Sequence, residues 1–181
     1  MMLLLWEFKP NYCSARREIE GHVTLTKMPV SDIFVGLGQG NLDQQLRTVS
    51  LGKLKTYQLF DRLRIRLHLS KLNQEMLRKI APKVYARLSE KEEDLAVELS
   101  QAILVSHLDM IVGVLDHLGI PHQDGFFDKD TDVKSHLSDG WQSRSYEHFQ
   151  EKYPKAVLAF YLNHLAHEVV PSEPLFIPPT A

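Results

Sequence analysis

The chain has almost no cysteine. Its one thiol, Cys13, has no second cysteine to pair with. That excludes an intrachain disulfide and any multi-cysteine metal centre, and it is compatible with a reducing compartment. Long apolar runs are also missing: no stretch approaches the ~20 uncharged apolar residues of a membrane span. Within residues 1–8 the apolar run ends at Glu7; it has no basic region before it and is shorter than the ~7–15 residues of a signal core. These absences predict a soluble, cytoplasmic protein. Net charge of one sign is lacking too: at −2, the whole chain is neither a polycation nor an acidic tail. No G-x-S-x-G elbow, H-E-x-x-H zinc motif, complete dinucleotide fingerprint or internal repeat occurs. Catalytic signatures are therefore absent, and the default expectation is a non-enzymatic interaction or regulatory module.

What is present suits one ordered domain. The 181 residues are 44% hydrophobic and 24% charged, a globular rather than disordered composition. The expected class is mostly α: a single-domain helical bundle with a short N-terminal strand. Residues 18–27 alternate, with Ile19, Val23 and Leu25 opposite Glu20, His22, Thr24 and Thr26, which is the period of a strand. Residues 1–40 read as a poorly defined arm. Met28 offers an alternative native start, and an intact mass on the natural protein tests it. Gly36, Gly38 and Gly40 mark a connector. Residues 41–170 read as the helical domain, entered through Asn41 as an N-cap. Residues 171–181 carry Pro171, Pro174, Pro178 and Pro179 and read as an extended tail.

Within the domain, Gly52 interrupts the first helical pattern. The stretch 62–69 alternates strictly and fits strand as well as helix; its flanks lack turn residues, which favours helix. A helix follows over about 72–88, with Pro82 expected to kink or restart it. Ser89 and Glu92 read as a capping box opening one long apolar helix over about 89–118, with Gly119 and Pro121 as its stop. Its side chains are apolar around nearly the whole circumference, so it is expected at the centre of the bundle. Residues 119–142 read as a long acidic loop or a partly ordered segment. A last helical region covers 143–169, with Pro154 at the first turn of its second part.

Charge reverses sharply along the chain. Residues 44–88 hold eleven Lys and Arg against Asp61 and Glu75, a net of +9; residues 89–132 hold Lys91 and Lys129 against eleven acids, a net of −9. The simplest arrangement packs the basic segment beside the acidic one. The alternative leaves Arg62, Arg64, Arg66, Arg78 and Lys79 exposed to bind nucleic acid or another anion. The segment offers few aromatics for base stacking, mainly Tyr57, Phe60 and Tyr85.

Nine histidines raise the question of a divalent metal. His164 and Glu168 are one helical turn apart, and His107 lies on an apolar face of the expected central helix. Together they could form a site between two helices, with Asp109 as a further ligand. Asp109 and Asp116 are seven residues apart, ~10 Å along a helix, too far to share one ion. The acidic run 128–132 has calcium-loop spacing, but Val133 stands where the loop needs glycine. Finally, Trp141, Tyr146, Phe149 and Tyr153 concentrate near the C-terminus. Tyr146, Phe149 and Tyr153 share a helical face that would serve as core, as a dimer interface or as an apolar pocket. The expected partners are another protein or a second copy of the chain.

Overall fold

The computed structural model describes residues 28–56, 59, 73–128, 130–170 and 173–179. The expected strand at 18–27, Cys13, most of 54–69 and three of the candidate arginines lie outside them. The described residues are mostly α-helical, without strands. The helices are α1 (Val30–Leu37), α2 (Gln39–Thr48), α3 (Leu51–Thr56), α4 (Gln74–Ser89), α5 (Glu93–Val105), α6 (Leu108–Leu118), α7 (Trp141–Phe149) and α8 (Lys155–Val169). A short 3-10 turn, Val133–His136, precedes α7. Among the described residues no single helix is long and apolar enough to cross a membrane.

The glycine-rich stretch is not a loop. Gly36 lies inside α1 and Gly40 inside α2, and only Gly38, at φ 86°, breaks the helix between them. That left-handed value suits a residue without Cβ. The first cap of α2 is therefore Gly38 rather than Asn41, whose Oδ1 instead accepts from Gln45 Nε2 at 2.5 Å. Helix α1 packs against α2, α4, α5 and α8. Phe34 of α1 stacks on Phe160 of α8 with ring centroids 4.4 Å apart, and both rings are fully buried.

Helix α4 begins at Asn73, whose side chain accepts from the Met76 amide at 3.0 Å. It runs through Pro82 without ending. Pro82 is on the exposed side, where the carbonyl it leaves without an amide partner can reach water. Ser89 closes this helix instead of opening the next: its Oγ donates to the Tyr85 carbonyl at 2.9 Å. Lys91, at φ 61°, turns the chain, and α5 starts only at Glu93. The capping box read from Ser89 and Glu92 is thus absent.

The expected helix over 89–118 is two helices, α5 and α6, bent by 81°. The break is at Ser106 and His107. Ser106 Oγ donates to the Ala102 carbonyl at 2.6 Å and accepts the Ser50 amide at 3.0 Å. His107 Nδ1 lies 2.9 Å from the Ile103 carbonyl. Two successive side chains thus reach back to carbonyls one turn earlier, a pattern that bends or ends helices. The central position belongs to α8, in which every residue from Ala156 to Asn163 is buried. It opens just after Pro154, as its sequence suggested.

Candidate functional site

The three proposed metal ligands do not form a site. His107 is buried at the start of α6, and the carbonyl beside its Nδ1 requires that nitrogen to carry the proton. His164 of α8 stacks flat on Phe160, at 6.0 Å and 9°. Glu168 is exposed one turn further along. Among the described residues no three His, Cys, Asp or Glu side chains are placed to hold a metal ion. Asp109 is exposed and enters the packing through its carbonyl, which accepts the Tyr153 hydroxyl at 3.2 Å. In the acidic loop, Asp132 does capping work: its Oδ1 accepts the Ser135 amide at 3.3 Å at the start of the 3-10 turn.

Of the basic residues, Arg62, Arg64 and Arg66 are outside the described part. Arg78 and Lys79 are exposed on α4. Lys79 reaches Glu75 at 2.9 Å, and that hydrogen bond, with the lysine charge, holds the Glu75 carboxyl below its ordinary value. Arg47–Asp43 and Lys155–Glu151 are likewise pairs within one short stretch. The two charged segments meet where α4 turns into α5, through Arg87 and Glu92. A half-open cavity lined by Arg87, Glu92, Glu93, Asp94 and Leu95 lies there. Its Glu93 is committed elsewhere: Oε1 accepts from the Val30 amide at 2.7 Å and Oε2 from Ser31 at 3.1 Å.

A histidine-rich corner lies at the end of α6. His117 and His148 stack at 4.5 Å and 15°, with Phe149 edge-on to both. Both imidazoles belong to exposed residues, but their facing surfaces are withdrawn from water. That desolvation first, then the His148 and Arg144 charges, hold His117 below its ordinary value. Beyond Gly119, His122 bridges two elements: its Nε2 is 3.1 Å from Asp116 Oδ1, and its Nδ1 accepts the Gly125 amide at 3.2 Å. A carboxylate on one imidazole nitrogen is how a general base is oriented. Here the other nitrogen is filled by main chain, so the arrangement staples a turn.

That turn is a tight two-residue hairpin. Gln123 and Phe126 exchange both main-chain hydrogen bonds, at 2.7 and 3.0 Å, around Asp124 and Gly125 at φ 53° and 89°. Two positive φ values are what an Asp-Gly hairpin turn demands. The sequence carried this dipeptide signal, and the reading as an acidic loop or partly ordered segment passed over it. At the hairpin's end Phe126 is 54% exposed, while Phe127 turns inward against the core.

The aromatic group is mostly core. Trp141, Tyr146 and Phe149 are buried, and Tyr153 is half-buried after α7 has ended, so it shares no helix with them. Tyr146 also meets the tail: Phe176 packs edge-on against it at 5.7 Å. Residues 173–179 of the tail form no helix or strand and are docked on the bundle. Asn163, fully buried in α8, accepts the Phe176 amide on Oδ1 at 2.7 Å and donates from Nδ2 to the Phe176 carbonyl at 2.9 Å. Leu175 fills the space where a Cβ on Gly36 would stand. The sequence hint was the apolar run Leu175-Phe176-Ile177 inside a proline-rich tail; nothing local pointed to Asn163. In comparisons with known proteins the chain matches no family model, no curated protein and no solved structure.

Proposed function

We propose that this chain is a non-enzymatic helical interaction module that self-associates through Phe126. The observation that carries the reading is how that ring is presented. An aromatic side chain 54% exposed on a flexible loop would be ordinary, since single exposed apolar residues are common. This one sits at the end of a hairpin whose main chain is bonded on both sides and stapled by His122 to Asp116. A preordered aromatic loses little conformational freedom on docking, which is the property of an interface anchor. Among the described residues, three polar groups of the kind catalysis recruits are committed to the fold. His107 holds the end of α5, His122 holds the hairpin, and Glu93 holds the start of α1.

Sedimentation velocity over a concentration series tests this. The wild-type chain is expected to move toward a dimer as concentration rises, and Phe126→Ser to remain monomeric with an unchanged circular dichroism spectrum. A wild-type chain that stays monomeric at the highest concentration sinks the reading.

A further inference from the structure

The tail is held in the manner of a bound peptide. Its two central residues divide the labour of recognition. Main-chain groups of Phe176 meet both ends of one buried amide, Asn163. The side chains of Leu175 and Phe176 meet Gly36 of α1 and Tyr146 of α7. Recognition of an extended segment generally combines sequence-independent main-chain bonds with pockets for a few side chains. An asparagine buried in a helix is costly unless both its donor and its acceptor are used. In Asn163 one Nδ2 proton is donated to the Ala159 carbonyl one turn back at 2.9 Å, while Oδ1 and the remaining Nδ2 donor capacity are used on a segment outside the bundle. The segment itself is held lightly. Its first described residue, Glu173, bonds the Val170 carbonyl through its amide at 2.9 Å. Leu175 and Phe176 are only half-buried, whereas Asn163, which bonds Phe176, is fully buried. Ile177 is 58% exposed.

We propose that the groove formed by Gly36, Tyr146 and Asn163 is a binding site for an extended segment of another protein bearing an adjacent aliphatic–aromatic pair, and that residues 173–179 occupy it in cis as a competitor. The flanking prolines of the tail define the ligand further. A segment already extended before binding loses less freedom on docking than a flexible one. The cis tail is present at high effective concentration, so an incoming segment has to displace it. The groove is therefore open to a partner only when the tail is released. This goes beyond the self-association reading and uses a different surface, so either can fail alone.

The test uses the full chain and a fluorescein-labelled peptide with the sequence of residues 173–179. Leu175→Ser combined with Phe176→Ser releases the tail. The released chain is expected to bind the peptide saturably, and the wild type about tenfold more weakly because its own tail competes. Adding Asn163→Leu to the released chain is expected to weaken binding about tenfold, a factor that corresponds to loss of the paired main-chain bonds. A released chain that keeps its helical spectrum but binds no peptide, or binds it equally with Asn163→Leu, overturns the proposal. Should the released chain not fold, the wild type is measured with excess peptide by hydrogen exchange. Faster exchange of the Phe176 amide supports displacement, and unchanged exchange overturns it. A wild-type dimer abolished by Asn163→Leu but not by Phe126→Ser would make the occupant the tail of a second copy, and would overturn the choice of partner.

Discussion

The carboxylate of Glu93 caps a helix that begins 63 residues earlier: it accepts the amide of Val30 at 2.7 Å and that of the next residue, Ser31. Helix α1 has no side-chain cap of its own, because Pro29 stands at its N-cap position. A negative group at a helix start also meets the positive end of the helix dipole. Glu93→Ala therefore leaves two partly buried amides without acceptors. It is expected to lower stability by about 1–3 kcal/mol in chemical denaturation. Glu93→Gln should recover part of that loss, since its carbonyl can still accept one of the two bonds.

The stacked pair Phe34 and Phe160 joins α1 to the most buried helix, α8. Phe34→Ala is expected to cost about 3–5 kcal/mol by combined loss of burial and creation of a cavity. Phe34→Leu should cost distinctly less. Thermal unfolding of both variants checks the order, and an Ala variant as stable as wild type would contradict the packing described.

Acid should weaken the corner where α6 meets α7. His117 is held below its ordinary value near 6.5 in the folded chain, mainly by desolvation. The unfolded chain therefore binds the proton more readily than the folded one. Stability is then complete above the ordinary value, falls as pH drops from there through the lowered folded value, and levels off below it. His117→Phe keeps a ring against His148 and Phe149 but has no proton to bind. Its denaturation midpoint, followed from pH 7.5 to pH 5, should fall less than that of the wild type. Equal slopes would remove His117 from the account.

Filling the space at Gly36 should loosen the tail without touching it. A Cβ there would overlap the Leu175 side chain, and that side chain is the part free to move. Gly36→Ala is expected to speed hydrogen exchange at the Phe176 amide while leaving α1 helical, since Gly36 already sits within that helix. Unchanged exchange would show that Leu175 shifts aside at no cost to the Asn163 clamp.

The class of fold was legible because helical periodicity is local. So were the helix expected over about 72–88, observed at Gln74–Ser89, and the start of α8 after Pro154. The error at 89–118 has a physical source. Apolar content persisted through Ser106 and His107, and periodicity alone cannot see two side chains turning back onto carbonyls at 102 and 103. The run Ser106-x-x-Asp109 is a helix-start signal that could have marked a boundary there, although His107 serves as the cap. The long-range contacts were not legible at all. Glu93 to Val30, Asn163 to Phe176 and Gly36 to Leu175 join residues 63, 13 and 139 positions apart in sequence. A single sequence carries no local trace of such pairings. His107, His164 and Glu168 looked alike as ligands because spacing gives neighbours on one helix but not the separation of two helices across a bend.

That bend sends one apolar run to two different sets of neighbours. Helix α5 packs against α1, α3 and α8, whereas α6, turned 81° away from it, packs against α7. The corner itself is tied to the residue before α3, because Ser106 Oγ accepts the Ser50 amide. A stretch that reads as one rod in sequence therefore serves as a bracket, joining the N-terminal helices to the histidine-rich corner at the end of α6.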